Sequence, residues 1–292
     1  MNYFISVMAS KGGVGKTTLV ANLGGVLADM GFRVLLLDAD VQPSLSKYYR
    51  LNHSAEHGLV ELIMTKTVTE SMISETIFPN LWIIQSNDGN NELQSMLSSK
   101  VDRAIRIRQA LNTPFVHDNF DFVIIDTQGS LGHLQDAAAF AADIILSPIS
   151  PDALSAREFL SGTMKLLDQL SDGQAMNLSL PIIKAVINKM DSTKNAKEII
   201  NFVQGSFLKL RGKVTMMDPV IKSAKAYTEA MTLGKPVHCH EIVHSGKQES
   251  AYLTMHKLVW ALFPDTIGTY ATCFGEVSPE ALSEAFGERE QP

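Results

Sequence analysis

The amino-acid sequence predicts a doubly wound α/β fold, in which helices cover both faces of a mostly parallel sheet. Apolar runs at residues 4–8, 34–37, 122–125 and 182–187 are typical of strands that are buried on both faces of such a sheet. A helical pattern at residues 19–30 follows the first run. Polar residues come after each run, and open α/β sheets bind their ligands at that end of the strands.

The first apolar run leads into a glycine-rich loop, and the helical pattern begins where the loop ends. We call this stretch the phosphate loop; it consists of Lys11, Gly12, Gly13, Val14, Gly15, Lys16, Thr17 and Thr18. Glycines allow backbone N–H groups to crowd around phosphate oxygens, and the start of the following helix attracts the same negative charge. We therefore expect Lys16 to contact the β- and γ-phosphates of a nucleotide and the Thr17 hydroxyl to ligate Mg²⁺.

Carboxylates follow two more of the apolar runs. Asp38 and Asp40 come after residues 34–37, and they share a side because alternate residues of a strand point the same way. Asp126 comes after residues 122–125, in the pattern of a Walker B strand. Carboxylates at this edge of a sheet hold Mg²⁺ or orient an attacking water. Capping of the next helix is the alternative role for Asp38 or Asp40.

The run at residues 182–187 is followed by Asn188, Lys189, Met190 and Asp191. These residues fit the NKxD motif with which GTPases read guanine, and residues 223–225 mimic a later GTPase signature. Asn188 is alternatively a turn residue at the end of a strand. The motif by itself leaves the identity of the base open.

The two lysines of the phosphate loop make it resemble the deviant Walker A motif of the ParA/MinD family of ATPases. Residues 38–44 are similar to the first switch of that family, although the family's usual proline after the second aspartate is displaced to Pro43. Residues 234–237 resemble its G-x-P-V segment. The resemblance spans residues 1–262 and implies a single P-loop NTPase domain, with residues 263–292 as an acidic C-terminal tail.

The resemblance also implies a role for each matching residue. Lys11 and Lys16 would act in catalysis, Lys11 by reaching the nucleotide of a second subunit, and Asp40 would position water. Residues 127–129 depart from the prolines that the family often has in its second switch. The resemblance further implies that Asp38 lies near the metal and that Gln42, Gln128 and Gly129 belong to the two switches. It implies that Asn188 and Pro219 contact an adenine base, which favours ATP over GTP.

The function implied by the resemblance is the partition of a plasmid, a chromosome region or a mobile element. ATP and Mg²⁺ would bring two subunits together, the homodimer would bind DNA without sequence preference, and a ParB-type centromere-binding protein would stimulate slow hydrolysis. The alternative is a MinD-like spatial regulator that acts on a protein or a membrane-associated target. An iron–sulfur electron donor is disfavoured because the sequence lacks paired bridging cysteines.

The net charge of −6 does not indicate a nucleic-acid-binding protein, so any surface that contacts DNA must be local. The stretch from residue 184 to 225 is rich in basic residues: Lys184, Lys189, Lys194, Lys197, Lys209, Arg211, Lys213, Lys222 and Lys225. Lys222 and Lys225 are the predicted DNA contacts, since phosphates are bound by such side chains without sequence preference. The alternative is that these lysines lie on solvated faces.

A cytoplasmic protein with reduced thiols is expected, because no signal peptide or membrane-spanning run is visible and the two cysteines form no CxxC pair. The resemblance implies that it is nucleoid-associated. The acidic tail has no basic amphipathic face, so direct membrane binding is not expected. His238, Cys239, His240 and His244 look like metal ligands, but a polar loop is the favoured interpretation. Residues 44–80 are predicted as helix and loop, and residues 92–111 as one helix.

Overall fold

A computed structural model describes residues 2–90, 92–129, 132–175, 180–191, 198, 201, 205, 213–246, 248–278, 281, 282 and 285, and nine strands in these parts of the chain form one sheet. The strands are β1 (Tyr3–Val7), β2 (Val34–Ala39), β3 (Leu51–His53), β4 (Ser74–Thr76), β5 (Leu81–Ile84), β6 (Phe122–Thr127), β7 (Ile144–Ile149), β8 (Ile182–Met190) and β9 (Val214–Lys222). The helices are α1 (Lys16–Asp29), α2 (Leu59–Thr65), α3 (Leu93–Ser98), α4 (Arg106–Leu111), α5 (Pro114–Asn119), α6 (His133–Ala141), α7 (Ala153–Ala175), α8 (Lys225–Leu233) and α9 (Ala251–Leu262).

The strand order is β3-β4-β5-β2-β6-β1-β7-β8-β9. Every neighbouring pair from β5 to β9 is parallel, whereas β3, β4 and β5 pair antiparallel at one edge. This arrangement confirms the predicted mostly parallel sheet. It places the carboxyl ends of β1, β2, β6 and β8 along one edge, where the polar residues singled out from the sequence follow them.

Strand β2 illustrates why its sequence is apolar without interruption. Val34 and Leu36 pack into the core between the sheet and α1, α8 and α9. Leu35 and Leu37 point to the opposite face and pack with α2, α4 and α6. All four side chains are fully buried, because helices cover the strand on both sides.

Two predictions of local structure were wrong. Residues 44–80 contain the short strands β3 and β4 in addition to helix and loop, since their backbones pair next to β5. Residues 92–111 do not form one helix; the chain leaves the helical path between α3 and α4. Arg106 is held after this break by the Asp102 carboxylate, at 2.8 Å from Nε, and by the Ile63 carbonyl, at 3.0 Å from Nη1. These contacts fix the start of α4, and the one with Ile63 joins it to α2, outside the segment.

The residues after α9, which the sequence analysis set apart as an acidic tail, pack against that helix as far as the structure describes them. The Tyr252 hydroxyl donates to the Ala271 carbonyl at 2.6 Å, and His256 Nε2 accepts from the Ala271 N–H at 3.0 Å. Ala271 and Cys273 are buried. Among the described residues, no helix has the length and apolar character needed to cross a bilayer.

Candidate functional site

The phosphate loop joins β1 to α1, and its glycines are required by its shape. Gly13 and Gly15 have φ angles of 77° and 90°, in the left-handed region that side chains with a Cβ rarely adopt. A Cβ on Gly12 or Gly13 would meet no atom within 4 Å, so open space lies in front of them. A Cβ on Gly15 would lie 2.6 Å from Asn188 Nδ2. The loop is thus open on one side and tightly packed against β8 on the other.

Two residues at the end of β8 hold the loop in this shape. Asn188 Nδ2 donates to the Val14 carbonyl at 2.7 Å, and Lys189 Nζ donates to the Gly13 carbonyl at 2.6 Å. Lys189 itself has a φ of 59°, a conformation that a non-glycine residue rarely adopts. Asn188 was predicted to contact a base, and its amide also binds the phosphate loop, a contact that the sequence does not indicate.

The first residues of α1 carry the polar groups that face the carboxylates of the sheet. Lys16 is largely buried; this burial lowers the pKa of its ammonium, and the Asp126 and Asp40 carboxylates oppose that shift. The Thr17 hydroxyl donates to Asp126 Oδ2 at 2.6 Å. Asp126 Oδ1 is buried and has no hydrogen-bond partner among the described residues. Burial raises the pKa of Asp126 to about 7.

The two aspartates after β2 occupy different environments. Asp38 lies opposite Asp126 in the parallel pairing of β2 with β6, and it is fully buried. Its Oδ2 accepts from the Ser46 N–H at 2.8 Å and from the Ser46 hydroxyl at 2.7 Å, while burial raises its pKa to about 6. Asp40 is only partly buried, and its Oδ1 accepts from the Gln42 N–H at 2.9 Å. Asp38 therefore anchors the turn around Ser46, and Asp40 stays accessible from the loop.

Gly129, two residues after the end of β6, lies directly against the phosphate loop. Gln128 is buried at the end of the strand. A Cβ on Gly129 would lie 3.1 Å from the Gly12 Cα and 3.4 Å from Lys16 Nζ. A larger residue than glycine at this position would therefore press on the loop and on its second lysine.

A cleft of about 1030 Å³ opens beside these groups, and a second cavity of about 350 Å³ adjoins it. The cleft is lined by residues of the phosphate loop, by Gln42 and by Lys47. The cavity is lined by Asn188, Lys222, Tyr227 and other residues near the start of α8. Pro219, which was expected at the base, lies in β9 and is not among the residues that line either space.

The first lysine of the phosphate loop is bound within its own chain. Lys11 Nζ lies 3.1 Å from Asp152 Oδ1 and 2.8 Å from Ser155 Oγ, at the start of α7. Asp152 also accepts from the Ser155 hydroxyl. Nothing in the sequence around residue 152 pointed to this contact, since it depends on how α7 packs against the loop.

The basic residues predicted as a DNA-binding stretch do not share one environment. Lys184 Nζ donates to the carbonyls of Ala261 and Leu262 at the end of α9, and Lys189 binds the phosphate loop. Lys189 is exposed as well, as are Lys213, Lys222 and Lys225, while Lys194, Lys197, Lys209 and Arg211 lie outside the described residues.

The residues His240 and His244 do not join a histidine cluster. The imidazole of His240 lies 3.0 Å from Glu229 Oε2, and that of His244 lies 2.9 Å from Glu241 Oε1. His238 and Cys239 point elsewhere, toward Asp29 at the end of α1.

Comparison with known proteins places these features in a wider group. A family model described as an AAA domain matches residues 2–182. The chromosome partitioning protein ParA of Caulobacter vibrioides is 29% identical over 257 residues, which are 87% of this chain and 92% of that protein. The sporulation initiation inhibitor protein Soj of Bacillus subtilis is 29% identical over 265 residues, which are 89% of this chain and 99% of that protein.

A solved structure shares the fold. The septum site-determining protein MinD of Pyrococcus horikoshii, complexed with Mg-ADP, superposes with a TM-score of 0.66 at 20% identity. The superposition covers 90% of this chain and 96% of that chain.

Proposed function

This chain belongs to the ParA/MinD family of P-loop ATPases, and we propose on that basis that it is a partition ATPase. It binds ATP with Mg²⁺, forms a homodimer around the nucleotide, and binds DNA without sequence preference until hydrolysis releases it. The observation that carries the proposal is the Thr17–Asp126 pair at the phosphate loop, in which one buried carboxylate oxygen has no hydrogen-bond partner in the part of the chain that the structure describes.

The donor set at this position fits Mg²⁺, which prefers hydroxyl, carboxylate and water oxygens. The Thr17 hydroxyl would be a direct ligand, and Asp126 Oδ1, which has no partner among the described residues, would accept from a water in the ion's shell. Asp38 lies beside Asp126 and adds negative charge, although Ser46 already occupies its Oδ2. When bound, the ion neutralises charge on the β- and γ-phosphates.

The chain's own groups then have separate tasks. Lys16, at the start of α1, contacts the phosphates, and the open faces of Gly12 and Gly13 receive them. Asp40 orients the attacking water, since it is the accessible carboxylate of the first switch. Gln42 and Gly129 sense the γ-phosphate, because Gln42 lines the cleft and Gly129 lies against the loop. Gln128, directly before Gly129, belongs to the same second switch. These switch segments are ordered while the γ-phosphate is present and are released when it is hydrolysed.

The adjoining cavity receives the base, and its lining supports adenine. Asn188 lines this cavity, whereas Asp191, the residue that would read guanine in an NKxD motif, lines neither the cleft nor the cavity. The Asn188 amide already donates one hydrogen bond to the Val14 carbonyl. Its contact with adenine therefore uses the hydrogen-bonding groups of the side chain that this bond leaves available. Pro219 acts at this end of the site because it belongs to β9, the strand beside the cavity.

Dimerisation depends on Lys11, which reaches the phosphates of the second subunit. The Nζ of Lys11 leaves Asp152 and Ser155 for this purpose. The dimer then contacts DNA through Lys222 and Lys225, which are exposed. A ParB-type protein stimulates hydrolysis, and the protein acts in the cytoplasm on the nucleoid.

The deciding experiment measures the binding of labelled plasmid DNA with ATP, ADP, GTP or no nucleotide, at low and moderate salt. We expect binding with ATP alone, weakened by salt because lysines replace counterions on the phosphates. Lys16→Ala should abolish it, whereas Lys100→Ala, which changes an exposed lysine that does not line the cleft, should not.

The DNA surface is tested by the double change Lys222→Glu and Lys225→Glu. It should weaken DNA binding while ATP-dependent dimerisation persists, and Lys225→Glu alone is measured beside it because Lys222 also lines the cavity for the base. Lys100→Glu with Lys165→Glu is the matched control, since both lysines are exposed and the change in charge is the same. An ATP-dependent dimer that binds no DNA at low salt would overturn the partition proposal in favour of a MinD-like regulator of a protein target.

A further inference from the structure

We infer that Asp29, Cys239 and Cys273, with His238 beside them, form a binding site for Zn²⁺. The carboxylate oxygen of Asp29 and the two sulfur atoms all lie within 4.8 Å of one another. Thiolate sulfur, imidazole nitrogen and carboxylate oxygen are the donors that zinc takes in proteins. The proposed ion fastens the chain after α9 to the end of α1.

His238 places a fourth donor next to two members of this group. Its Nε2 lies 2.8 Å from Asp29 Oδ2 and 3.3 Å from Cys239 Sγ. In a tetrahedral zinc site the ligand atoms are separated by roughly 3.3–3.8 Å, as follows from metal–ligand distances of about 2.0–2.3 Å. Asp29 and the two cysteines already converge, so a four-ligand site forms once the His238 ring turns from Asp29 Oδ2 toward Cys273.

The surroundings of these donors resemble the supporting shell of a metal site. Asp29 Oδ1 accepts from the Phe274 N–H at 2.7 Å and from the Thr272 hydroxyl at 3.4 Å, which orients the carboxylate. The side chains of Asp29 and His238 are 1% and 0% exposed. Ligating carboxylates are commonly held by such outer hydrogen bonds.

The backbone at Cys273 is strained in the way that functional sites often are. Cys273 and Phe274 have φ angles of 54° and 57°, which non-glycine residues rarely adopt. This conformation brings the Cys273 side chain under the His238 carbonyl, to which its thiol donates at 3.8 Å. The strained backbone thus places the Cys273 sulfur in the cluster.

A disulfide between the two cysteines would explain less of this arrangement. It would use the sulfur atoms alone and would leave the convergence of Asp29 and His238 on Cys239 without a role. The chain has two cysteines in all, and both are in this cluster. His240 and His244 are paired with glutamates outside it and are not ligands.

The site is separate from the nucleotide. Lys16 is the first residue of α1 and Asp29 the last, so the helix of 14 residues places them roughly 20 Å apart. Loss of zinc is therefore expected to loosen the segment at residues 263–278 and to leave ATP binding unchanged. Failure of the partition proposal would not affect this site, because neither depends on the other.

The test begins with the reduced full-length protein, incubated with ZnCl₂ and freed of excess ion by gel filtration. We expect one zinc per chain by elemental analysis, and a thiolate-to-metal charge-transfer band after replacement with Co²⁺. Only Cys239 and Cys273 can produce that band, since the chain has no other cysteine. Cys239→Ser with Cys273→Ser should remove both signals, and His240→Ala, the matched control, should keep them.

A second measurement uses the wild-type protein, so it does not depend on whether the variants fold. Zinc should protect both thiols of the wild-type protein from alkylation, as counted by intact mass, and a chelator should remove the protection. Equal alkylation with and without zinc, the same zinc content in wild type and double serine variant, or a wild-type mass lower by two hydrogens after mild isolation would each overturn the proposal.

Discussion

Lys11 forms an ion pair with Asp152 of its own chain, at 3.1 Å, and this contact competes with the role proposed for Lys11 in the dimer. The two side chains are 30% and 46% exposed, so the pair contributes no more than about 1 kcal/mol. Asp152→Asn should release Lys11 and strengthen ATP-dependent dimerisation by about two- to fivefold. Sedimentation velocity at several protein concentrations measures this directly.

The control for this change is Asp168→Asn, which alters an exposed aspartate farther along α7. It should leave the dimer unchanged. Weaker dimerisation in Asp152→Asn than in the control would mean that Asp152 supports the dimer instead of competing with it.

Asp126 predicts a pH dependence of stability for the metal-free protein. Burial raises its folded-state pKa to about 7 from 3.8, so the folded protein keeps a proton that the unfolded chain has already lost. The free energy of unfolding should therefore fall as pH rises from about 4 to 7, by on the order of 4 kcal/mol for this group. Urea unfolding at pH 5 and pH 7.5 measures the change.

Asp126→Asn should flatten this part of the pH profile, whereas Asp265→Asn, at an exposed aspartate, should not. Mg²⁺ should stabilise the wild type more at pH 8 than at pH 6, because it favours the ionised carboxylate. An identical profile for wild type and Asp126→Asn would contradict the assignment of the shift to this residue.

Gly129→Ala tests the contact between the second switch and the phosphate loop. The added Cβ would lie 3.1 Å from the Gly12 Cα, and such overpacking costs about 1–3 kcal/mol. We expect ATP affinity, measured by isothermal titration calorimetry, to fall by roughly tenfold. Gly89→Ala is the control, since Gly89 also borders the cleft but a Cβ there would meet nothing within 4 Å. Equal losses in both variants would argue against this contact.

Asp40→Ala should separate nucleotide binding from hydrolysis. The variant should still dimerise with ATP, but phosphate release should slow by about 10²-fold because the attacking water is no longer oriented. Asp40→Asn distinguishes charge from shape, since its side-chain oxygen can still accept from the Gln42 N–H. Full activity in Asp40→Asn would assign the residue to the turn instead of the chemistry.

The parts of the fold and the site that could be predicted from sequence are contiguous in the chain. The phosphate loop lies between β1 and α1, and Asp126 lies within β6 directly after its apolar residues. Spacing and residue type determine such features, because glycine φ angles and strand periodicity act over a few residues. The same reasoning failed for β3 and β4, since three-residue strands carry too little pattern to be recognised.

The sequence alone therefore determined the strand–loop–helix unit, the alternation of buried runs with helices, and the carboxylates at the strand ends. Only the tertiary structure decided that Asn188 binds Val14, that Lys11 pairs with Asp152, and that Asp29 meets both cysteines. Each of these contacts joins residues more than a hundred positions apart. Cys239 and Cys273, which are closer in sequence, are brought together by the packing of the chain after α9. Their formation depends on how complete elements pack, which no local spacing of residues encodes.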